Sequence, residues 1–539
     1  MAGGLARASA VMASGTIVSR VLGLLKAILL AYAVGAVGSR SADAFANGNL
    51  LPNTIYMILI GGVLNAVLVP QIVKQTHGRD GGAAYINKIL TLVTLALVAV
   101  TTLAMAAAPW IVQLTVQDWG PEQLALSTAF AYWCIPQVIF YGIYTVMGEV
   151  LNARSVFGPF TWAPVLNNVI AIAGIFVFMA MFGADPQGDL TVTAWTPTMI
   201  AVLGGSATLG IIAQALILFV SWRRAGIRFR PDFAWRGVGL GQTAKLAGWT
   251  LAMVIVMQLG GIVTNRIVAS GSGAGPSTSA MQNVWLIFMM PHSVIAVSLA
   301  TAYFTRLAEW GQRGRMVEFR EDLSASVRQI ALVMVYAAVA LIAAAPFVSR
   351  VINIGATAGQ VELFAEALTA YAVSLAAYSF LFVVQRAFYA LSDTRTPFIF
   401  TTVQMVLVIV LAVLLPVLVE PRYIGLGFAV IWSFATILEA LLATWLLRRR
   451  ISTIDGRRIL GSITKFVAAG LPALAVGLLV NGLLRAAAGD VNAVVAIGFS
   501  AAVAGIVAVV YVVGLRLLRS AEIVDIIGAV SRRFGRNGS

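Results

Sequence analysis

Charge is what this sequence has least of. Only 11% of its 539 residues are Asp, Glu, Lys or Arg, less than half the share that keeps a soluble domain polar on every side. The shortage excludes a water-soluble globular chain, and with 60% hydrophobic residues most of the outer surface must face lipid. Cysteine is nearly absent. Cys134 stands alone inside an apolar run, so there is no internal disulfide and no partner for a metal, and its role is packing. The two histidines, His77 and His292, are far apart and give no zinc spacing. No Walker-type glycine loop occurs, which argues against ATP hydrolysis within the chain. No loop is long enough for a separate catalytic domain. No metal or cofactor is expected. The first apolar run lacks a small-residue cleavage site after it and reads as a retained membrane helix.

What is present is a series of apolar runs, each about the 20 residues needed to cross a hydrocarbon core. Helices are expected near 10–36, 43–73, 85–115, 123–152, 159–183, 197–221, 240–270, 278–306, 325–349, 361–392, 396–418, 424–447, 460–484 and 492–518. The fold class is therefore all-α, a polytopic membrane protein of about fourteen transmembrane helices. The 36 basic against 21 acidic residues would suit a nucleic-acid binder if they shared one polar face. They do not. Lys74, Arg79, Arg154, Arg223, Arg224, Arg313, Arg315, Arg395 and Arg448–Arg450 fall in alternate loops, while the other loops hold few cations and carry Asp118, Glu122, Asp185 and Asp490. Cytoplasmic loops hold the excess of Lys and Arg, so both termini are expected in the cytoplasm and no nucleic-acid partner is expected. Trp110, Trp119, Trp222 and Trp310 stand at span ends, where an interfacial belt accounts for them.

Laid on itself at an offset of about 238 residues, the chain repeats. Leu51-Pro52-Asn53 falls close to Met290-Pro291-His292, and Arg154–Phe160 falls on Ser392–Phe398. Each half then has six helices in one orientation, a parallel repeat about an axis along the membrane normal. The expected organisation is an N-lobe at 1–222, a C-lobe at 223–450, two added helices at 451–519 and a basic cytoplasmic tail at 520–539.

Most cations need only the topological explanation. Arg20, Lys26 and Arg266 sit inside predicted spans, where a cation costs roughly 2.5–3.5 kcal/mol on insertion scales. Such residues usually face a wet cavity; the alternatives are snorkelling to the headgroups or pairing with Asp43. The repeat projects Arg266 onto Ile28, two residues from Lys26, so helices one and seven would present positive charge at related depths on opposite lobes. Arg grips a phosphate with paired hydrogen bonds and Lys meets it as a point charge. In the second helix, Asn49, Asn53 and Asn65 share a stripe that either glues helices or lines a cleft. Asp43, which opens that helix, is either an organising partner for Arg20 or Lys26 or a helix N-cap. Gln137, Glu149, Asn167, Asn168, Gln258, Gln385, Arg386 and Glu439 read as interhelix glue.

Taken together, Ser19-Arg20-Val21-Leu22-Gly23, Gly35-Ala36, Asp43-Ala44-Phe45, Leu51-Pro52-Asn53, Val69-Pro70, Leu151–Arg154, Ala163-Pro164 with Asn167-Asn168, and Thr394–Pro397 resemble the MurJ (MviN) family of lipid II flippases. That family lies within the multidrug/oligosaccharidyl-lipid/polysaccharide exporter superfamily. The resemblance runs through nearly the whole chain and is nearest to actinobacterial members. It implies two six-helix lobes around a cationic cavity, with helices thirteen and fourteen forming a groove for a polyprenyl tail. It implies alternating access in a bacterial cytoplasmic membrane that carries lipid II outward without covalent chemistry. Lipid II and membrane lipids are the implied partners, with cell-wall synthesis proteins as further candidates. Its substrate-contacting positions fall on Ser19, Arg20 and Asp43; Lys26, Asn53 and Arg266 join them as candidate substrate-binding residues. Where the family carries charge, this chain has Ala27, Tyr56, Gly61 and Leu286, and Arg266 is the expected compensation. Helices seven and eleven hold no acidic residue, which argues against the sodium site of some relatives. Two other readings stay open: an exporter of another polyprenyl-linked glycan, and a non-transporting scaffold for cell-wall synthesis.

Overall fold

The computed structural model describes residues 2–60, 83–154, 156, 158–224, 226, 229–234 and 240–523. The rest of the expected second helix (61–73), Asn65, His77, Lys74, Arg79 and the tail beyond 523 lie outside the described residues. Every regular element among those described is helical. In chain order they are α1 (Ala2–Val34), α2 (Arg40–Ile60), α3 (Ala83–Ala106 and Ala108–Thr115), α4 (Pro121–Cys134 and Gln137–Ala153), α5 (Gly158–Phe182), α6 (Pro197–Arg224) and α7 (Leu240–Ala269). There follow α8 (Thr278–Pro291 and Val297–Gln312), α9 (Met316–Ile352), α10 (Ala358–Ala372 and Leu375–Ala390), α11 (Arg395–Ala412 and Leu415–Leu418), α12 (Ile424–Ile451), α13 (Gly456–Ala488) and α14 (Ala493–Leu517). Among the described residues 13 helices are long and apolar enough to cross a membrane. The remaining one, α2, carries Asp43, Asn47, Asn49 and Asn53 along its length. The all-α, polytopic fold expected from the hydrophobic runs is the one observed.

Sequence chemistry marks the helix ends and breaks. Thr357 and Gln360 form a reciprocal capping box at the start of α10, and the Asn492 side chain accepts from the Val495 amide at the start of α14. Pro136 separates the two halves of α4, and the two halves of α8 are joined by a π turn, His292–Ala296, directly after Pro291.

The chain forms two compact units, residues 1–280 and 281–539. Lipid removes the hydrophobic drive between helices, so close packing and buried hydrogen bonds must hold each unit together. In the first unit Phe130 is fully buried, edge-on to Phe45 at 5.1 Å and to Trp195 at 5.3 Å. In the second, α13 and α14 pack on each other and on α9. A methyl group on Gly477 would stand 2.6 Å from Val507 and 2.7 Å from Ala343, closer than side chains approach. Two hydrogen bonds reinforce that seam: Asn481 Nδ2 donates to the Ala343 carbonyl at 2.8 Å and the Tyr511 hydroxyl to that of Leu332 at 2.9 Å.

The tryptophan belt needs correction. Trp110 is exposed, but Trp119 and Trp222 are buried, donating their indole N–H to the carbonyls of Ala269 and Met147. Trp310 donates to the carboxylate of Asp322 at 2.8 Å. Each of these three indole N–H groups has an internal acceptor, as the polar tip of a packed tryptophan requires.

Candidate functional site

A cavity of about 110 Å³ lies within the first unit, bounded by α1, α2, α4, α5 and α6. Each of the five helices contributes a polar group to its wall, as Lys26, Asn49, Gln137, Tyr141, Asn167 and Ser206, and the rest of the lining is apolar. The polar groups brace one another. Gln137 Nε2 donates to Thr208 Oγ1 at 2.9 Å and to Asn49 Oδ1 at 3.3 Å, and the Tyr141 hydroxyl donates to Gln137 Oε1 at 3.3 Å. Pro136 ends the first half of α4 and sets Gln137 and Tyr141, four residues apart, on the face that lines the cavity. Lys26 thus brings a positive charge to a hollow furnished with amides and hydroxyls, and no acidic side chain lines it. Such a wall can hold an anion: the ammonium supplies charge, and amide and hydroxyl groups supply directed hydrogen bonds.

The other candidate residues are distributed differently. Ser19, half-buried on α1, accepts from Asn168 Nδ2 through its carbonyl at 2.9 Å and its hydroxyl at 3.4 Å, a tie between α1 and α5. Arg20 is half-buried on the same helix. Asn53 is exposed on α2, one turn beyond the cavity-lining Asn49.

Asp43 is fully buried. It is neither the N-cap of its own helix nor, in the bonds it makes, a partner of Lys26. Ser39 fills the capping role, its hydroxyl accepting from the Ala42 amide at 3.1 Å. The Asp43 carboxylate instead accepts from the Ser272 hydroxyl at 2.6 Å and the Ser279 amide at 2.8 Å. Gln123 Nε2 donates to the same serine hydroxyl at 2.8 Å.

Arg266 caps a helix. Its Nη1 donates to the carbonyls of Gln113 and Val116, each at 2.8 Å, where α3 ends at Thr115. The last carbonyls of a helix have no internal partner and carry its negative end, so a guanidinium there is doubly favoured. The preceding residue, Asn265, donates through Nδ2 to Asn47 Oδ1 at 3.1 Å and to the Thr115 carbonyl at 2.9 Å. Asn47 in turn donates to the hydroxyls of Thr115 and Ser127. These bonds fasten α7 to α2 and α3 inside residues 1–280. Lys26 lines the cavity, whereas Arg266 does not. The sequence reading named neither Tyr141 nor Ser206 as site residues. It assigned Gln137 and Asn167 to interhelix glue, and Gln137 here both glues and lines.

A polar, singly cationic hollow inside a many-helix membrane bundle defines a membrane transporter rather than a water-soluble binding protein. Solved structures agree in fold: a multidrug resistance MATE family transporter of the MOP superfamily, inward-facing, matches with a TM-score of 0.64 and 14% identity over 81% of this chain and 96% of its own. A lipid II flippase MurJ in an inward closed conformation matches with a TM-score of 0.70 and 19% identity, over 94% of this chain and 99% of that one. The chain belongs to the MurJ family: the family model described as lipid II flippase MurJ matches residues 30–514. Similar curated proteins include a probable lipid II flippase MurJ of Rhizobium tropici, 26% identical over 77% of this chain and 76% of that protein. The lipid II flippase MurJ of Burkholderia cenocepacia is 27% identical, over 72% of this chain and 74% of its own.

Proposed function

We propose that this protein moves lipid II, the polyprenyl-pyrophosphate-linked cell-wall precursor, from the inner to the outer leaflet of the bacterial cytoplasmic membrane by alternating access. Family membership across residues 30–514 carries the reading, and the placement of Lys26 in a polar hollow supports it. Lys26 meets the pyrophosphate, while Asn49, Gln137 and Tyr141 offer hydrogen bonds to it or to the sugar. Arg20, Ser19 and Asn53 line the approach along α1 and α2. Asp43 and Arg266 act by holding the ends of helices in place. The protein makes and breaks no covalent bond, and its partners are the precursor, surrounding lipids and cell-wall synthesis proteins. Both termini face the cytoplasm. Residues 1–222 and 223–450 are the two lobes of the repeat, 451–519 the added helix pair and 520–539 a basic tail against anionic lipid.

An empty hollow bearing a net positive charge responds to membrane potential by about 2.3 kcal/mol per charge per 100 mV, and a neutralised one responds less. That difference resets the empty carrier. The direct test is movement of purified precursor in vesicles, with and without an imposed potential. Precursor movement that is absent in both arms would remove the reading. The family's charged positions occupied here by Ala27, Tyr56 and Leu286 favour one alternative, a different polyprenyl-linked glycan. Labelled glycans in the same vesicles decide between them, and partner binding without any movement would mark a scaffold.

A further inference from the structure

The second unit holds an acidic side chain that the lipid II reading leaves unused. Glu439 lies midway along α12 (Ile424–Ile451) and is 7% exposed. Its Oε1 accepts one hydrogen bond, from Thr401 Oγ1 of α11 at 3.1 Å. None of the ion pairs among the described residues includes it. From α10 the titratable group in electrostatic contact with it is Tyr378, whose ring meets that of His292 of α8 at 4.8 Å; Glu362, Glu366 and Tyr389 lie on the same helix, and Tyr371 packs on Trp285. Arg386 of the same helix is spread over the rings of Phe304 and Phe382. The single charged residue of α11, Arg395, is exposed at its first turn.

The surroundings are polar without being satisfied. Trp432, Thr436 and Glu439 follow at spacings of four and three, so they share one face of α12. Trp432 Nε1 and Thr436 Oγ1 are both buried without a hydrogen-bond partner, a rare condition that calls for an explanation. Across from them, buried Gln404 lies one turn along α11 from Thr401. A buried carboxylate that no cation pairs carries a large desolvation cost, which a bound proton removes. The orphaned hydroxyl and indole N–H are the groups that would receive the site's water when it opens.

We propose that Glu439 is a proton-binding site of the second unit, carried as a neutral acid in this conformation and emptied when α11 and α12 part enough to admit water. Loss of the proton leaves a carboxylate stabilised by Thr401, Thr436 and solvent; regaining it allows the helices to close. A step of the transport cycle is thereby linked to uptake of one proton. The binding claim stands alone, and the transport claim rests on the flippase reading.

Two measurements on the full-length protein in lipid vesicles test this and separate the claims. Infrared spectra should show a protonated-carboxyl C=O band at pH 7 that Glu439→Gln removes and Thr401→Val shifts. A Glu439 carboxyl already ionised at that pH overturns the proposal. With sodium constant and the potential clamped, a pH gradient should speed precursor movement several-fold in the wild type. Glu439→Gln should move precursor at one rate with or without the gradient. A gradient response that survives in Glu439→Gln, or a response that follows sodium and ignores pH, overturns the linkage. If no protein moves precursor, the flippase reading fails while the infrared result still decides whether Glu439 binds a proton.

Discussion

Arg328 and Glu522 meet inside the second unit although 194 positions separate them. Their side chains are only 11% and 7% exposed. Glu522 also accepts from the hydroxyls of Ser462 and Ser520, each at 2.8 Å, so the segment after α14 is tied to α9 and α13. Breaking such a pair leaves a buried guanidinium uncompensated, at a cost of about 3–5 kcal/mol. Glu522→Gln should therefore melt well below the wild type in detergent, and Arg328→Met with Glu522→Leu should recover most of the loss. Equal melting of Glu522→Gln and wild type would contradict this.

The same carboxyl predicts a pH dependence. Burial pushes Glu522 up, but hydrogen bonds from Ser520, its own backbone, Ser462 and Arg328 outweigh it and hold it down to about 2. A free glutamate titrates near 4.3. Because folding lowers the value, its stabilisation is complete above about pH 5 and is lost as pH falls from about 4.3 towards 2. Melting curves through that range should fall more steeply for wild type than for Glu522→Gln. Parallel curves would show that the carboxyl is not held this way.

Lys26 separates charge from shape. Lys26→Ala should slow precursor movement about tenfold or more, since a hydrogen bond to a charged group contributes roughly 1.5–3 kcal/mol. Lys26→Arg should keep most of it. Rates compared at equal membrane levels check both, and full activity in Lys26→Ala would dismiss the phosphate contact.

Arg266 should behave otherwise. Its bonds run to the carbonyls at the end of α3, so Arg266→Ala should lower thermal stability by about 1–2 kcal/mol, as loss of a charged helix-end contact does. Its effect on precursor affinity should be smaller than that of Lys26→Ala. A larger loss of affinity than of stability would return Arg266 to the binding surface.

Asp43→Asn keeps an acceptor oxygen for Ser272 or the Ser279 amide, whereas Asp43→Ala leaves the buried Ser279 amide and the half-buried Ser272 hydroxyl without that acceptor. The alanine variant should be the less stable by about 1–3 kcal/mol, measured as a melting shift. Indistinguishable variants would mean these bonds do not hold the segment.

The membrane fold was legible because the solvent writes it directly: each crossing needs an apolar run of fixed length, and α5, expected near 159–183, is Gly158–Phe182. Lys26 was legible for the same reason, a cation where hydrocarbon penalises one. Arg266 raised the same flag with a different answer, because its acceptors exist only once α3 ends at Thr115 beside α7. Asp43 was misread for want of contacts 229 and 236 positions away. Trp222 looked interfacial in a one-dimensional string, yet its N–H is consumed by the Met147 carbonyl. Glu439 was one polar residue among eight until its burial and its hydrogen bond from Thr401 set it apart.

Gly477 leaves no slack where three helices meet. A Cβ there would overlap Val507 and Ala343, so the α13 backbone lies directly against side chains of both α14 and α9. The last two helices are therefore seated closely on the second unit. A hydrocarbon chain held on their outer face would then be expected to move together with α9, like cargo strapped to the frame.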